Sequence, residues 1–117
     1  MRNNRSADLD VLRYMLNYTL KIEHLIDRFG KDYEIFKNDV AYRDAVSMNI
    51  LQIGELTARL SEEFKEATKS KLPWSAMKNM RNLFAHNYGQ MDMEIIWTTA
   101  IENIPEVKAF CEEEINK

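Results

Sequence analysis

Apolar residues recur at three- and four-residue spacings along nearly the whole chain, the period of helices rather than strands. Leu12, Met15, Leu16, Thr19, Ile22, Ile26 and Phe29 form one stripe. Ser6 or Asp8 would cap the start of that helix, and Gly30 would end it. Lys31 to Phe36 reads as a short turn-like piece. A second helix is predicted from Asn38 or Asp39 to about Ala67. Its face would be Ala41, Ala45, Met48, Leu56, Leu60 and Phe64, interrupted by Gln52. Residues 68–74 read as a loop, and Pro73 suits the first turn of a third helix over about Ser75 to Ala85. Asn87 to Gln90 reads as a turn. Asp92 would cap a last helix running to Glu114, with Ile96, Ala100, Ile104, Val107, Cys111 and Ile115 on its apolar face. Pro105 falls inside that helix and predicts a kink, because the Ile101 carbonyl loses its partner.

Four main helices with short connections predict an all-α, antiparallel up-and-down bundle, with room for one extra short helix. The 117 residues suit a single domain, 1–117, large enough to bury a core. Three Gly, two Pro and abundant Met, Glu and Lys agree with helices. A single cysteine, Cys111, excludes an intrachain disulfide and suggests a reducing cytoplasmic setting. No apolar run approaches the roughly 20 residues that span a bilayer, and the first ten residues lack a signal-peptide core.

The net charge of −3 conceals a marked asymmetry. Residues 1–66 carry ten Lys/Arg against twelve Asp/Glu, and residues 92–117 carry two against seven. Residues 67–91 hold Lys69, Lys71, Lys78 and Arg81 and no acid. A local basic field of this kind can attract a polyanion although the whole molecule is acidic.

That basic stretch contains the one segment with evident chemistry, Arg81-Asn82-Leu83-Phe84-Ala85-His86-Asn87-Tyr88-Gly89. RNA carries its own nucleophile, the 2′-hydroxyl. Cleavage needs a base for that proton, a donor for the leaving 5′-oxygen, and positive charge at the phosphoryl group. His86 suits proton transfer near neutral pH and Arg81 suits the phosphate, with Lys78 beside it. Asn82 could orient the histidine or the ribose. None of this requires a metal or cofactor, and no residue set has zinc-site spacing. Five helical steps separate Arg81 from His86 by about 140°. They converge only if the helix ends near His86 or if a second copy contributes. The same residues would also suit an ordinary helix C-terminus, where Arg and His satisfy free carbonyls.

The segment resembles the Arg-polar-x-x-x-His signature of HEPN-domain proteins, and with Tyr88 the Arg-x-x-x-x-His-x-Tyr motif of HepT-like toxins. Ile53-Gly54-Glu55, Leu60-Ser61, Pro73-Trp74, Met80-Arg81-Asn82, Ile96-Trp97 and Ile104-Pro105 stand in the order that family shows. The resemblance implies a HEPN-like helical bundle acting as a homodimeric, metal-independent endoribonuclease on tRNA or mRNA. It further implies a type VII toxin–antitoxin pair, in which a minimal nucleotidyltransferase antitoxin adenylylates the motif tyrosine, here Tyr88. A bulky anion two residues from His86 would repel RNA. A ring packed at a helix end is the other reading of Tyr88.

The alternative function is a non-catalytic HEPN subunit that docks the nucleotidyltransferase and binds nucleotide or nucleic acid. A purely structural dimeric bundle is a third reading, disfavoured by the acid-free segment, since structural surfaces mix both signs. Gly54, mid-helix, predicts close packing against another helix. Glu55 could pair with the motif arginine or touch a dimer mate. Trp74 and Trp97 are expected as core or interface anchors, and His24 as a surface or partly buried structural residue.

Overall fold

Two of the side-chain caps predicted from sequence, Asp39 and Asp92, open helices, and the exceptions reveal how the bundle is tied together. In the computed structural model, which describes residues 4–117, α1 spans Asn4–Phe29, α2 Tyr33–Asn38, α3 Val40–Thr57, α4 Glu62–Thr68 and α5 Trp74–Asn87. A 3-10 turn follows at Tyr88–Gln90, then α6 at Met93–Thr98, a π turn at Thr99–Asn103 and α7 at Ile104–Ile115. The fold is an all-α bundle, with no strand among the described residues. The long α1 packs against α3 and α7, and α3 in turn packs against α5. Thus α5 lies at the edge of the bundle.

Ser6 and Asp8 do not cap α1, since both lie inside it. Asp8 is instead buried and accepts hydrogen bonds from the Ser61 N–H at 2.8 Å and the Ser61 hydroxyl at 2.6 Å. Ser61 itself caps α4, its Oγ accepting from the Phe64 N–H at 3.1 Å. This corner divides what the apolar periodicity presents as one helix to Ala67. Ser61 followed by Glu62 and Glu63 satisfies the free N–H groups and the dipole of a new start.

The segment from Lys31 likewise contains a helix rather than a turn. Asp32 caps α2 by accepting from the N–H groups of Glu34 and Ile35. Gly30 ends α1 at φ +115°, a left-handed conformation that favours glycine. Asp39 caps α3 by accepting from the Tyr42 N–H at 3.1 Å.

The buried face of α3 also differs from the expected one. Tyr42, Val46, Ile50 and Ile53 point inward, whereas Met48 is 56% exposed and Ala41 lies outside. Tyr42 decides the rotation. Its hydroxyl donates to the Gly30 carbonyl at 2.9 Å, and its ring stacks on Phe29 and meets Phe36 and Trp97 edge-on. Alanine and methionine offer no comparable anchor.

The predicted stripes of α1 and of the last helix do form the core. Leu12, Met15, Thr19 and Ile22 are buried, as are Ile96, Ala100, Ile104, Val107 and Cys111. Burial pushes the Cys111 thiol up to about 12, so it serves as a small apolar side chain. Both tryptophans are core residues. Trp74 Nε1 donates to Thr68 Oγ1 at 3.0 Å, and Trp97 joins the Phe36–Tyr42 cluster. At Pro105 the chain shifts to π geometry one turn earlier, with the Ile104 N–H reaching back to the Thr99 carbonyl. Proline then sits in the opening turn of α7, where it lacks no needed donor.

Candidate functional site

The motif occupies the last two turns of α5 and the 3-10 turn behind it. One face of α5 carries Trp74 and Phe84 into the core, with Met77 and Met80 half-buried beside them. The opposite face, including Asn79, Leu83 and His86, is uncovered. Arg81 and Asn82 lie at the boundary between the two.

Arg81 is fixed by α3. A Cβ built on Gly54 would lie 2.6 Å from Arg81 Cβ and 2.9 Å from its Cγ, so only glycine lets the helices approach this closely. The neighbouring Glu55 then meets the guanidinium, with Arg81 Nε donating to Glu55 Oε1 at 2.5 Å. Arg81 also donates from a terminal nitrogen to Asn82 Oδ1 at 2.9 Å. The hydrogen bond from Arg81 holds the Glu55 carboxyl below the usual range, outweighing partial desolvation. The expected pairing of Glu55 with the motif arginine is therefore present.

A guanidinium has five N–H donors, so these two contacts leave three for a phosphate. Arg81, Asn82 and Lys78 share the wall of an open groove between α4 and α5, of about 570 Å³. Lys78 is exposed and has no acidic partner among the described residues. On the other side of Arg81 lies a half-open apolar cavity of about 180 Å³, bordered by Ile50, Met77, Met80 and Ile104.

His86 is exposed and makes no hydrogen bond or ion pair within the described residues. Helix α5 continues past it to Asn87, so Arg81 and His86 keep their helical offset of about 140°. The helix end does not make them converge. Asn82 and His86, one turn apart, share the open side of α5.

Tyr88 faces α3. Its hydroxyl donates to the Asp44 carboxylate at 2.6 Å, and its ring stacks on Phe84 with centroids 6.2 Å apart. Burial, then the Asp44 hydrogen bond, pushes the phenol pKa up. Sequence reasoning missed Asp44. Nothing in its local context marks it, and the contact joins residues 44 positions apart. His24 is exposed on α1, far along the chain from the motif.

An all-α bundle with Arg81, Asn82 and His86 on its edge helix and Tyr88 in the turn behind it is consistent with a HEPN-type protein. The chain belongs to the ribonuclease HepT-like family, whose description matches residues 15–114. It is 32% identical over 105 residues, covering 89% of this chain and 93% of the relative, to "Putative RNase TTE0752" of Caldanaerobacter subterraneus subsp. tengcongensis. It is 31% identical over 86 residues to "Probable ribonuclease HepT" of Thermococcus cleftensis, covering 72% of this chain and 77% of the relative. No solved structure matches it. No described helix is long and apolar enough to cross a membrane.

Proposed function

We propose that this protein is a metal-independent endoribonuclease, the toxin of a toxin–antitoxin pair, with Arg81 and His86 as its catalytic residues. The observation that carries the reading is Arg81 itself. Its guanidinium is held by Glu55 and Asn82 at the lip of a basic groove, with donors left over for a phosphate. A preorganised cation of this kind stabilises charge that builds on the phosphoryl group. His86 moves the proton, and with no partner among the described residues both its ring nitrogens are available. Asn82 keeps the guanidinium in plane, and Lys78 adds charge beside it.

Because Arg81 and His86 diverge on one continuous helix, the working site is composite. Two copies would bring Arg81 of one chain towards His86 of the other, so that each composite site joins one arginine to one histidine. The uncovered face of α5, where Leu83 is 44% exposed, supports such a homodimer. Regulation follows the family expectation. A minimal nucleotidyltransferase antitoxin transfers an adenylyl group to Tyr88, whose partly exposed hydroxyl donates to the Asp44 carboxylate beside Ser47.

The same divergence favours the second reading, a non-catalytic subunit that binds nucleic acid for a partner enzyme. The test is incubation of unmodified protein with bulk RNA in EDTA. Products with 2′,3′-cyclic phosphate and 5′-hydroxyl ends, absent for a folded His86→Ala variant, support the ribonuclease. No cleavage by unmodified protein supports the binding subunit.

A further inference from the structure

The groove between α4 and α5 has a second wall that the motif does not supply. Lys65 on α4 and Lys69 at its C-terminal end face Lys78 and Arg81 on α5. Two carboxylates, Glu62 and Glu66, share the lining, so four cations meet two anions. Each carboxylate is already engaged by a lysine three residues on, Glu62 with Lys65 at 3.0 Å and Glu66 with Lys69 at 2.5 Å. Glu62, Glu66 and Lys69 are exposed, so both pairs hold weakly and a phosphate can replace either carboxylate. Lys78 and the remaining donors of Arg81 have no such competitor among the described residues.

We infer that this groove is a track for the RNA sugar–phosphate backbone, in which Lys65 and Lys69 hold phosphates outside the cleavage site and feed the strand along Lys78 to Arg81. The inference rests on the ribonuclease reading for the identity of the strand. Three features favour a backbone over other polyanions or a mononucleotide. The groove is open along α5 rather than closed around a ligand, and its upper end adjoins Asn82, one turn before His86. Its cations are mostly lysines, which act as point charges on phosphate without demanding a planar partner. Among the described residues the one aromatic ring in its wall, Trp74, is buried and bonded to Thr68, so no platform is offered for stacking bases. Contacts of this type position a strand and carry no sequence information. The track therefore binds RNA without sequence preference, and discrimination among targets lies elsewhere.

The test measures anisotropy of a fluorescently labelled oligouridylate over a salt series, in the His86→Ala background to prevent cleavage. The comparison is His86→Ala alone against His86→Ala with Lys65→Gln and Lys69→Gln. Each lost phosphate contact lowers the slope of log affinity against log salt by about 0.7 for a single strand. The double lysine variant is expected to bind roughly tenfold more weakly at low salt, with a slope smaller by about 1.4. Lys65 is partly covered, so Lys69→Gln alone, on an exposed side chain, is measured as well and should lose about half of that slope. Lys31→Gln, at an exposed site before α2, removes one charge outside the groove and should leave the slope unaltered. An unchanged slope in the α4 variants, or an equal loss in Lys31→Gln, overturns the track. Wild-type cleavage is assayed in parallel. Cleavage without a slope change defeats the track alone, whereas a slope change without cleavage defeats the ribonuclease reading and keeps the groove as an RNA site.

Discussion

Gly54 lies directly beneath Arg81, leaving no room for a single added methyl group. In an ordinary helix interior, alanine is favoured over glycine by about 1 kcal/mol. Here overpacking against Arg81 Cβ and Cγ should outweigh that gain. Gly54→Ala is expected to lower stability by about 1–2 kcal/mol and to reduce RNA cleavage, because the guanidinium moves off Glu55. Urea unfolding and a cleavage assay check both. A stabilised, fully active variant would mean that α3 and α5 can separate without cost.

Glu55 gives the pH dependence its sign. Arg81 depresses its carboxyl pKa in the folded state, so the pair's contribution is complete above the ordinary value of 4.5. It is lost as pH falls through the depressed value. Glu55→Gln should therefore differ from wild type in urea midpoint by a constant amount from neutral pH down to about 5, and the difference should shrink below that. In the same variant, maximal cleavage rate should fall more than affinity for RNA, since the arginine remains but loses its orientation. A gap that persists undiminished in acid would assign the stabilisation to packing.

Tyr88 links the motif to α3 through Asp44. The phenol pKa is raised, so this hydrogen bond contributes fully below the ordinary value of 10.0 and is lost as pH rises through the raised one. Removing it with Tyr88→Phe should cost about 1 kcal/mol near neutral pH. An adenylylated Tyr88 has no proton to donate. Modified wild type should then be at least as destabilised as unmodified Tyr88→Phe in urea midpoint, because the phosphodiester also meets the Asp44 carboxylate, and Tyr88→Phe should accept no adenylyl group from Mg-ATP and the cognate nucleotidyltransferase. Mass spectrometry that finds the label on Tyr88→Phe would move the acceptor elsewhere.

Much of this was legible in the residues and some was not, for identifiable reasons. The stripe of α1 and that running from α6 through α7 repeat apolar residues at every turn with no competing apolar face, and they form the core as read. In α3, Ala41, Ala45 and Met48 suit either side of a helix, and the contest was decided by Tyr42, whose partners at Phe29, Phe36 and Trp97 are remote in sequence. The break before α4 was written locally in Ser61-Glu62-Glu63, but the apolar spacing of Leu56, Leu60 and Phe64 runs through it. At the candidate site, Gly54 and Glu55 announced a close approach and a partner for arginine. Asp44 could not be found, since its role depends on the rotation of α3 that the pattern left open.

The central claim is that Arg81 and His86 act on one phosphate, across two copies of the chain. Wild type, Arg81→Ala, His86→Ala and an equal mixture of the two variants, unfolded and refolded together, would be incubated with RNA in EDTA. His86 is exposed and has no partner among the described residues, so its replacement should change stability by no more than about 0.5 kcal/mol. The account predicts cleavage by wild type, none by either variant alone, and partial recovery in the mixture, where each mixed dimer holds one intact site. Cleavage by His86→Ala alone, or a mixture as inert as its components beside an active wild type, would contradict it.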